Sequence, residues 1–216
     1  MEKSYRSVSY FFIAFLLFAF MAFFKTYFGL VPQFNDRITF VTHYHAFTVV
    51  LWLAMLIVQP ILIRNKYLDW HRFIGKASYA LVPLVLLGML LIINQMQTRE
   101  KNLAVFAANL VDIPQFVILY GLAIFHRKNT PYHLRFMLMS VVAFIAPICA
   151  RIPTDSFLII GLLYVGLLVF EYFTGKKYKP YLIGIAIYVI NLAIAVYLFL
   201  GNQPLLDTIW GLFWKN

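Results

Sequence analysis

Two histidines, His71 and His133, stand in matching sequence contexts that suit a haem. Each follows an aromatic residue, and each is followed within three positions by an arginine and a phenylalanine, at the start of an apolar run. Two imidazoles at the same membrane depth on facing helices can ligate one haem iron. The neighbouring arginines, Arg72 and Arg135, can pair with the haem propionates. The alternative is that both histidines contact lipid headgroups at the membrane surface.

A second polar group lies inside an apolar run. Asn109, Asp112 and Gln115 recur at i, i+3 and i+6, a spacing that predicts a polar stripe along one helix. An ionisable residue at this depth in a membrane is costly and is functional by default. Its candidate partners are His45, which with Asp112 forms a candidate divalent-metal site, and Arg151, which forms a structural ion pair. These side chains together predict a polar cavity on the outer side.

Several common enzyme chemistries have no support in the sequence. It contains no Walker motif, no Gly-x-Ser-x-Gly and no His-Glu-x-x-His, which count against the common ATPase, serine-hydrolase and zincin mechanisms. Its single cysteine, Cys149, excludes an intrachain disulfide and a cysteine-based metal cluster. Whether the protein is an enzyme stays open at this point.

The composition requires a membrane around these residues. Of 216 residues, 63% are hydrophobic and 12% are charged, whereas a soluble domain carries about 25% charged residues. Such a chain cannot cover its surface with polar groups, so the lipid bilayer is its solvent. The net charge of +10 comes from short basic clusters between apolar runs. Such clusters orient helices and touch anionic lipid, so we expect no nucleic-acid partner.

The predicted fold is all-α, a polytopic membrane bundle of seven transmembrane helices with helices two to five at its core. A helix needs about 20 apolar residues to cross the hydrocarbon. The seven runs that qualify are 9–30, 42–63, 73–95, 103–125, 134–151, 157–174 and 181–200. Residues 1–203 are thus predicted to form one transmembrane domain, and residues 204–216 a short interfacial C-terminal helix. Arg151 and Glu171, at the ends of their spans, are expected to reach the interface or to face the interior.

The basic residues predict the orientation. With the N-terminus in the cytoplasm, twelve lysines and arginines lie on the cytoplasmic side and six lie outside. The twelve are Lys3, Arg6, Arg64, Lys66, Arg72, Lys76, Arg127, Lys128, Arg135, Lys176, Lys177 and Lys179. The six are Lys25, Arg37, Arg99, Lys101, Arg151 and Lys215. Because cytoplasmic loops carry an excess of lysine and arginine, the N-terminus is expected inside and the C-terminus outside.

The polar residues of the central spans carry a resemblance to a known family. They are His45, Gln59, Arg64, His71-Arg72, Gly75, Tyr79, His133, Arg135, Met137 and Arg151, in that order. The chain between about His45 and Arg151 resembles domain-of-unknown-function family 2306, a group of predicted bacterial membrane proteins. The resemblance implies a place in the bacterial inner (plasma) membrane and brings no activity with it.

A more distant similarity is to the diheme transmembrane cytochromes of the b-five-six-one type, which hold haems with histidines from alternate helices of a four-helix core. By this similarity His71 and His133 form one haem pair, and His45 is half of the other. The helix-four partner of His45 is missing, because Ala107, Ala108 and Asn109 stand where a histidine is expected.

Two functional hypotheses follow. The first is a redox protein that binds one b-type haem between helices three and five and passes electrons to a membrane redox partner or to other subunits of a complex. The alternative is a non-haem protein that uses the outer cavity around His45, Asp112 and Arg151. It is then a small transporter, an accessory subunit or a metal-dependent membrane enzyme.

Overall fold

The computed structural model describes residues 7–152, 154–175 and 179–214, and in these ranges the chain is α-helical and contains no strand. The helices are α1 (Val8–Phe24), α2 (Phe40–Arg64), α3 (Leu68–Arg99), α4 (Leu103–Phe125), α5 (Thr130–Met139), α6 (Ile145–Cys149), α7 (Ser156–Phe173), α8 (Pro180–Val196) and α9 (Gln203–Trp214). A 3₁₀ segment, Ser140–Phe144, joins α5 to α6, and a π-helical turn, Tyr197–Gly201, extends α8. The all-α prediction is confirmed.

Within the described ranges, six helical segments are long and apolar enough to cross a membrane. They are Phe40–Arg64, Leu68–Arg99, Leu103–Phe125, Thr130–Cys149, Ser156–Phe173 and Pro180–Gly201. Their outward faces carry large exposed apolar side chains such as Leu87, Leu162 and Ile190, which suit contact with lipid tails. The protein is therefore a multi-pass integral membrane protein.

The first predicted span, 9–30, is longer than the helix found there. Helix α1 has 17 residues and ends at Phe24, and a 3₁₀ turn, Phe28–Leu30, follows. This turn brings Gly29 so close to Phe24 that a Cβ atom at position 29 would lie 2.9 Å from the Phe24 carbonyl oxygen. A larger residue at position 29 would not fit this approach without a shift of the backbone. That α1 crosses the membrane stays a prediction.

Side-chain caps set the starts of the long helices. Thr39 and Thr42 form a capping box at the start of α2. Asn102 accepts the backbone N–H of Val105 at the start of α4, and Asp155 accepts those of Phe157 and Leu158 at the start of α7. Each cap satisfies amides that have no partner in the first helical turn.

The chain divides into two compact units, with the division inside α3 between Gln95 and Met96. In unit 1, α2 and α3 pair as an antiparallel hairpin. Thr39 Oγ1 donates to Gln95 Oε1 at 2.5 Å, and Tyr44 donates to the Leu84 carbonyl at 3.1 Å. Trp52 is fully buried in this unit.

Unit 2 is built around α4, which packs against α5, the 3₁₀ segment, α8 and α9. Phe116, Leu119 and Phe136 are fully buried here. Helices α5 and α8 meet where Met139 lies against Gly184, so closely that a Cβ atom on that glycine would collide with the Met139 sulfur. The single domain 1–203 and a core of spans two to five stay predictions.

Helix α9 supplies the predicted C-terminal helix, of which residues 215 and 216 lie outside the described ranges. Its Leu206 is buried against Phe106, Ala107 and Leu198. Trp210 Nε1 donates to Gln97 Oε1 at 2.9 Å. These contacts fix α9 to the rest of unit 2, while its interfacial position stays a prediction.

Candidate functional site

The most unusual residue of unit 2 is Asp112, a carboxyl group in the interior of a membrane-spanning helix. It lies about three turns into α4, and only 6% of its surface is exposed. Two residues later, Pro114 has no N–H to give to the Leu110 carbonyl, so a backbone acceptor is freed one half-turn away. Within the described residues, neither a hydrogen bond nor an ion pair joins the Asp112 carboxyl to another group. Among the residues that the structure describes, this buried carboxyl therefore has no neutralising cation.

Beside Asp112, a chain of hydrogen bonds connects α4, α7 and α8. Gln115 Nε2 donates to the Tyr164 hydroxyl at 3.1 Å, and Asn191 Nδ2 donates to Gln115 Oε1 at 3.3 Å. The Tyr164 hydroxyl in turn donates to the Gly184 carbonyl at 3.3 Å. Gln115 and Tyr164 are both buried, and a buried polar network of this kind fixes the positions of the helices that it joins.

Tyr188 on α8 completes the group. Its ring centroid lies 6.1 Å from that of Tyr164, and its phenol is within electrostatic reach of Asp112 and of Asp155, the exposed cap of α7. We call Asp112, Gln115, Tyr164, Tyr188 and Asn191 the Asp112 cluster. It combines one ionisable carboxyl with hydroxyl and amide groups inside a predominantly apolar bundle. A carboxyl group in such surroundings can bind and release a proton.

The predicted polar stripe on α4 is only partly correct. Asp112 and Gln115 are in the cluster, but Asn109 Nδ2 donates to the Val105 carbonyl of its own helix at 2.7 Å. An α-helix turns by about 100° per residue. Asn109 and Gln115 therefore point about 120° apart, too far for one narrow face.

The predicted ion pair between Asp112 and Arg151 is not among the described contacts. Arg151 lies just past the end of α6, and its Nη1 donates to the Pro147 carbonyl at 2.9 Å. Its side chain is exposed, whereas Asp112 is buried. That His45 is a partner of Asp112 stays a prediction, because the two residues belong to different units.

The histidines of the haem hypothesis have different surroundings. His133 Nδ1 lies 2.8 Å from the Ala123 carbonyl oxygen. Because a carbonyl only accepts, Nδ1 carries the proton in the neutral ring, and the Nε2 lone pair is available to a metal. His71 Nδ1 faces the side-chain amide of Gln59 within unit 1. His45 lies in a close helix contact, where a Cβ atom at Gly88 would come within 3.2 Å of its Cα.

The two arginines predicted to hold propionates already have acidic partners. Arg72 forms an exposed ion pair with Asp69, at 3.1 Å. Arg135 is fully buried and donates from Nε to Glu171 Oε1 at 2.6 Å and from Nη2 to the same oxygen. Its Nη1 donates to the Pro131 carbonyl at 2.9 Å, and its guanidinium carbon lies 5.9 Å from the Tyr181 ring. Of the two positions expected for Glu171, the structure has the one facing the interior.

Sequence reasoning missed the partners on α7 and α8. Tyr164, Tyr188 and Asn191 are not among the predicted site residues, and nothing in a single sequence shows which helix faces α4. The sequence did contain a signal for the Arg135–Glu171 pair. Arg135 begins span five and Glu171 ends span six, so the two opposite charges are predicted at the same side of the membrane. Charges that deep in two adjacent spans favour a pair.

In the part of the chain that the structure describes, no three His, Cys, Asp or Glu side chains come together in a group able to hold a metal ion. A metal bound through His45 and Asp112 therefore stays a prediction. The comparisons with known proteins give no further guide, since no family model, curated protein or solved structure matches this chain.

Proposed function

We propose that this protein is a small proton transporter in which Asp112 takes up and releases the proton. The observation that carries the proposal is the burial of the Asp112 carboxyl inside a candidate span without a hydrogen bond or ion pair among the described residues. An unpaired carboxylate at that depth costs several kcal/mol. A structural aspartate in such a place is held by a cation, whereas a proton-carrying aspartate must be free to change its charge.

The other members of the Asp112 cluster support this role. The hydroxyl of Tyr164 accepts from the Gln115 amide and donates to the Gly184 carbonyl, so it fixes α7 against α4 and α8 beside Asp112. The phenol of Tyr188 is within electrostatic reach of both the buried Asp112 and the exposed Asp155. Asp155 is thus a candidate entry point, at the end of α7 that is predicted to lie outside.

Proton flux into liposomes tests the proposal. Purified protein is reconstituted with a trapped pH-sensitive dye, and a potassium diffusion potential drives protons inward. Wild-type protein is expected to acidify the lumen, and Asp112→Asn is expected to lower the rate to that of empty vesicles. Asp69→Asn makes the same change on an exposed carboxylate and is expected to leave the flux unchanged. Wild-type vesicles that acidify no faster than empty ones would overturn the proposal.

A haem protein is the second candidate, and the hydrogen bond of His133 favours it. With Nδ1 held by the Ala123 carbonyl, the lone pair of Nε2 would be available to a haem iron. His71 is the proposed second ligand, as the similarity to the b-five-six-one type cytochromes implies. A bound haem would supply one-electron transfer, and His133 and His71 would hold it.

An absorption spectrum separates this candidate from the first. Protein expressed with ample haem is expected to show a Soret band that His133→Ala removes. His126→Ala is the matched control, because His126 Nδ1 also lies near a backbone carbonyl, that of Leu122 at 2.9 Å. A wild-type protein without a Soret band excludes the haem hypothesis and leaves the proton proposal untouched.

The proposed location is the bacterial inner membrane with the N-terminus in the cytoplasm. The excess of basic residues on the loops predicted to be cytoplasmic supports this orientation. With seven spans the C-terminus lies outside. A reporter that is active only in the cytoplasm, fused to the C-terminus, should then be silent, and an active reporter contradicts either the span count or the orientation.

A further inference from the structure

One face of α8 lines the interior of unit 2 with polar groups. Tyr181, Gly184, Tyr188 and Asn191 are spaced by three, four and three residues, so they lie on the same side of the helix. The Gly184 carbonyl accepts from Tyr164, and Asn191 donates to Gln115. At the start of the helix, the fully buried Tyr181 lies beside the Arg135 guanidinium.

This face of α8 runs from the Arg135–Glu171 pair to the Asp112 cluster, so both buried acidic groups lie along it. From Tyr181 to Asn191 the helix rises by about 15 Å, which is half of a hydrocarbon core about 30 Å thick. The Asp112 cluster lies along its second half, and the Arg135–Glu171 pair lies at its beginning. The Arg135–Glu171 pair is therefore nearer to the membrane surface at which α8 begins, and the Asp112 cluster lies farther along the helix.

The Arg135–Glu171 pair is unusual for a purely structural contact. Both side chains are at least nine-tenths buried, and one carboxylate oxygen receives two guanidinium donors. Among the contacts described for the pair, Arg135 on α5 meets Glu171 on α7 and the ring of Tyr181 on α8. Such buried pairs contribute little net stability compared with apolar side chains of the same size, so their presence calls for another role.

Building on the proposed function, we propose that Glu171 is a second proton-exchange residue and that its ion pair with Arg135 is the gate at the cytoplasmic end of the path. A hydronium ion on the α8 side of the pair gives up a proton, so that an O–H bond forms on the Glu171 carboxylate and a water molecule is left. The pair then loses its charge–charge attraction, and α7 is held less firmly to α5. When the proton leaves to the cytoplasm, the carboxylate binds Arg135 again and closes the path.

Three variants of the Arg135–Glu171 pair distinguish a structural contact from a gate. Replacing both partners with methionine (R135M/E171M) removes the charges but keeps the volume, and it is expected to preserve the fold. Glu171→Gln keeps the shape of the side chain but cannot exchange a proton, whereas Glu171→Asp keeps the exchangeable group. Lys101→Met with Asp207→Met removes an exposed pair and is the matched control.

The assay is the liposome flux described above, with a thermal melt of each variant. If the pair is a gate, R135M/E171M and Glu171→Gln fold and lose most of the flux. Glu171→Asp retains part of the flux, and the control pair changes nothing. If R135M/E171M folds and conducts like wild type while Asp112→Asn does not conduct, the gate is refuted and the proposed function stands. If both charge-removing variants unfold, the pair is structural and the gate is also refuted. A wild-type protein that conducts no protons refutes both proposals.

Discussion

Removal of Arg135 alone is expected to destabilise the protein strongly. Arg135→Met leaves the Glu171 carboxylate in an interior where both members of the pair are at most 6% exposed. Breaking one side of a buried pair costs about 3–5 kcal/mol, because the remaining charge has no compensation. For a chain of this size 1 kcal/mol shifts the melting temperature by about 2–4 °C, so the expected loss is about 6–20 °C.

The assay is a double-mutant cycle read by thermal melts in detergent. Arg135→Met, Glu171→Met and the double variant are compared with wild type, and the double variant is expected to recover most of the loss. Arg72→Met is the control, since its partner Asp69 is exposed and such pairs contribute about 0–1 kcal/mol. A single variant that melts within the error of wild type would show that the Arg135–Glu171 pair is not buried as described.

Two further predictions concern helix contacts in unit 2. Gly184→Ala is expected to cost about 1–3 kcal/mol, because the added methyl group meets Met139. Gly161→Ala, where no atom lies within 4 Å of an added Cβ, should melt like wild type or slightly higher. Trp210→Phe removes the hydrogen bond to Gln97 and should lower stability by about 1 kcal/mol. An equal effect of the two glycine substitutions would contradict the close α5–α8 contact.

The sequence predicted the helices well where an apolar run is bounded by clear caps. The predicted fourth span, 103–125, coincides with α4, because Asn102 starts the helix and a basic turn follows it. The first span was placed too long, since its apolar run continues through the turn at Gly29. Hydrophobicity cannot detect a turn made of apolar residues.

The candidate site was predicted only in part. Asp112 and Gln115 could be identified because polar residues are rare inside spans. Their neighbours Tyr164 and Asn191 could not, because the contact depends on which faces of α4, α7 and α8 meet. Packing between spans is decided by many small side-chain contacts, and these leave no periodic signal in one sequence.

The central claim is that Asp112 exchanges a proton inside the membrane, and infrared difference spectroscopy of the reconstituted protein measures this directly. As the pH is raised, the C=O stretching band of a protonated carboxyl group should disappear in wild type and shift in heavy water. We expect this band to be absent from Asp112→Asn and unchanged in Asp69→Asn. Identical difference spectra for wild type and Asp112→Asn would contradict it.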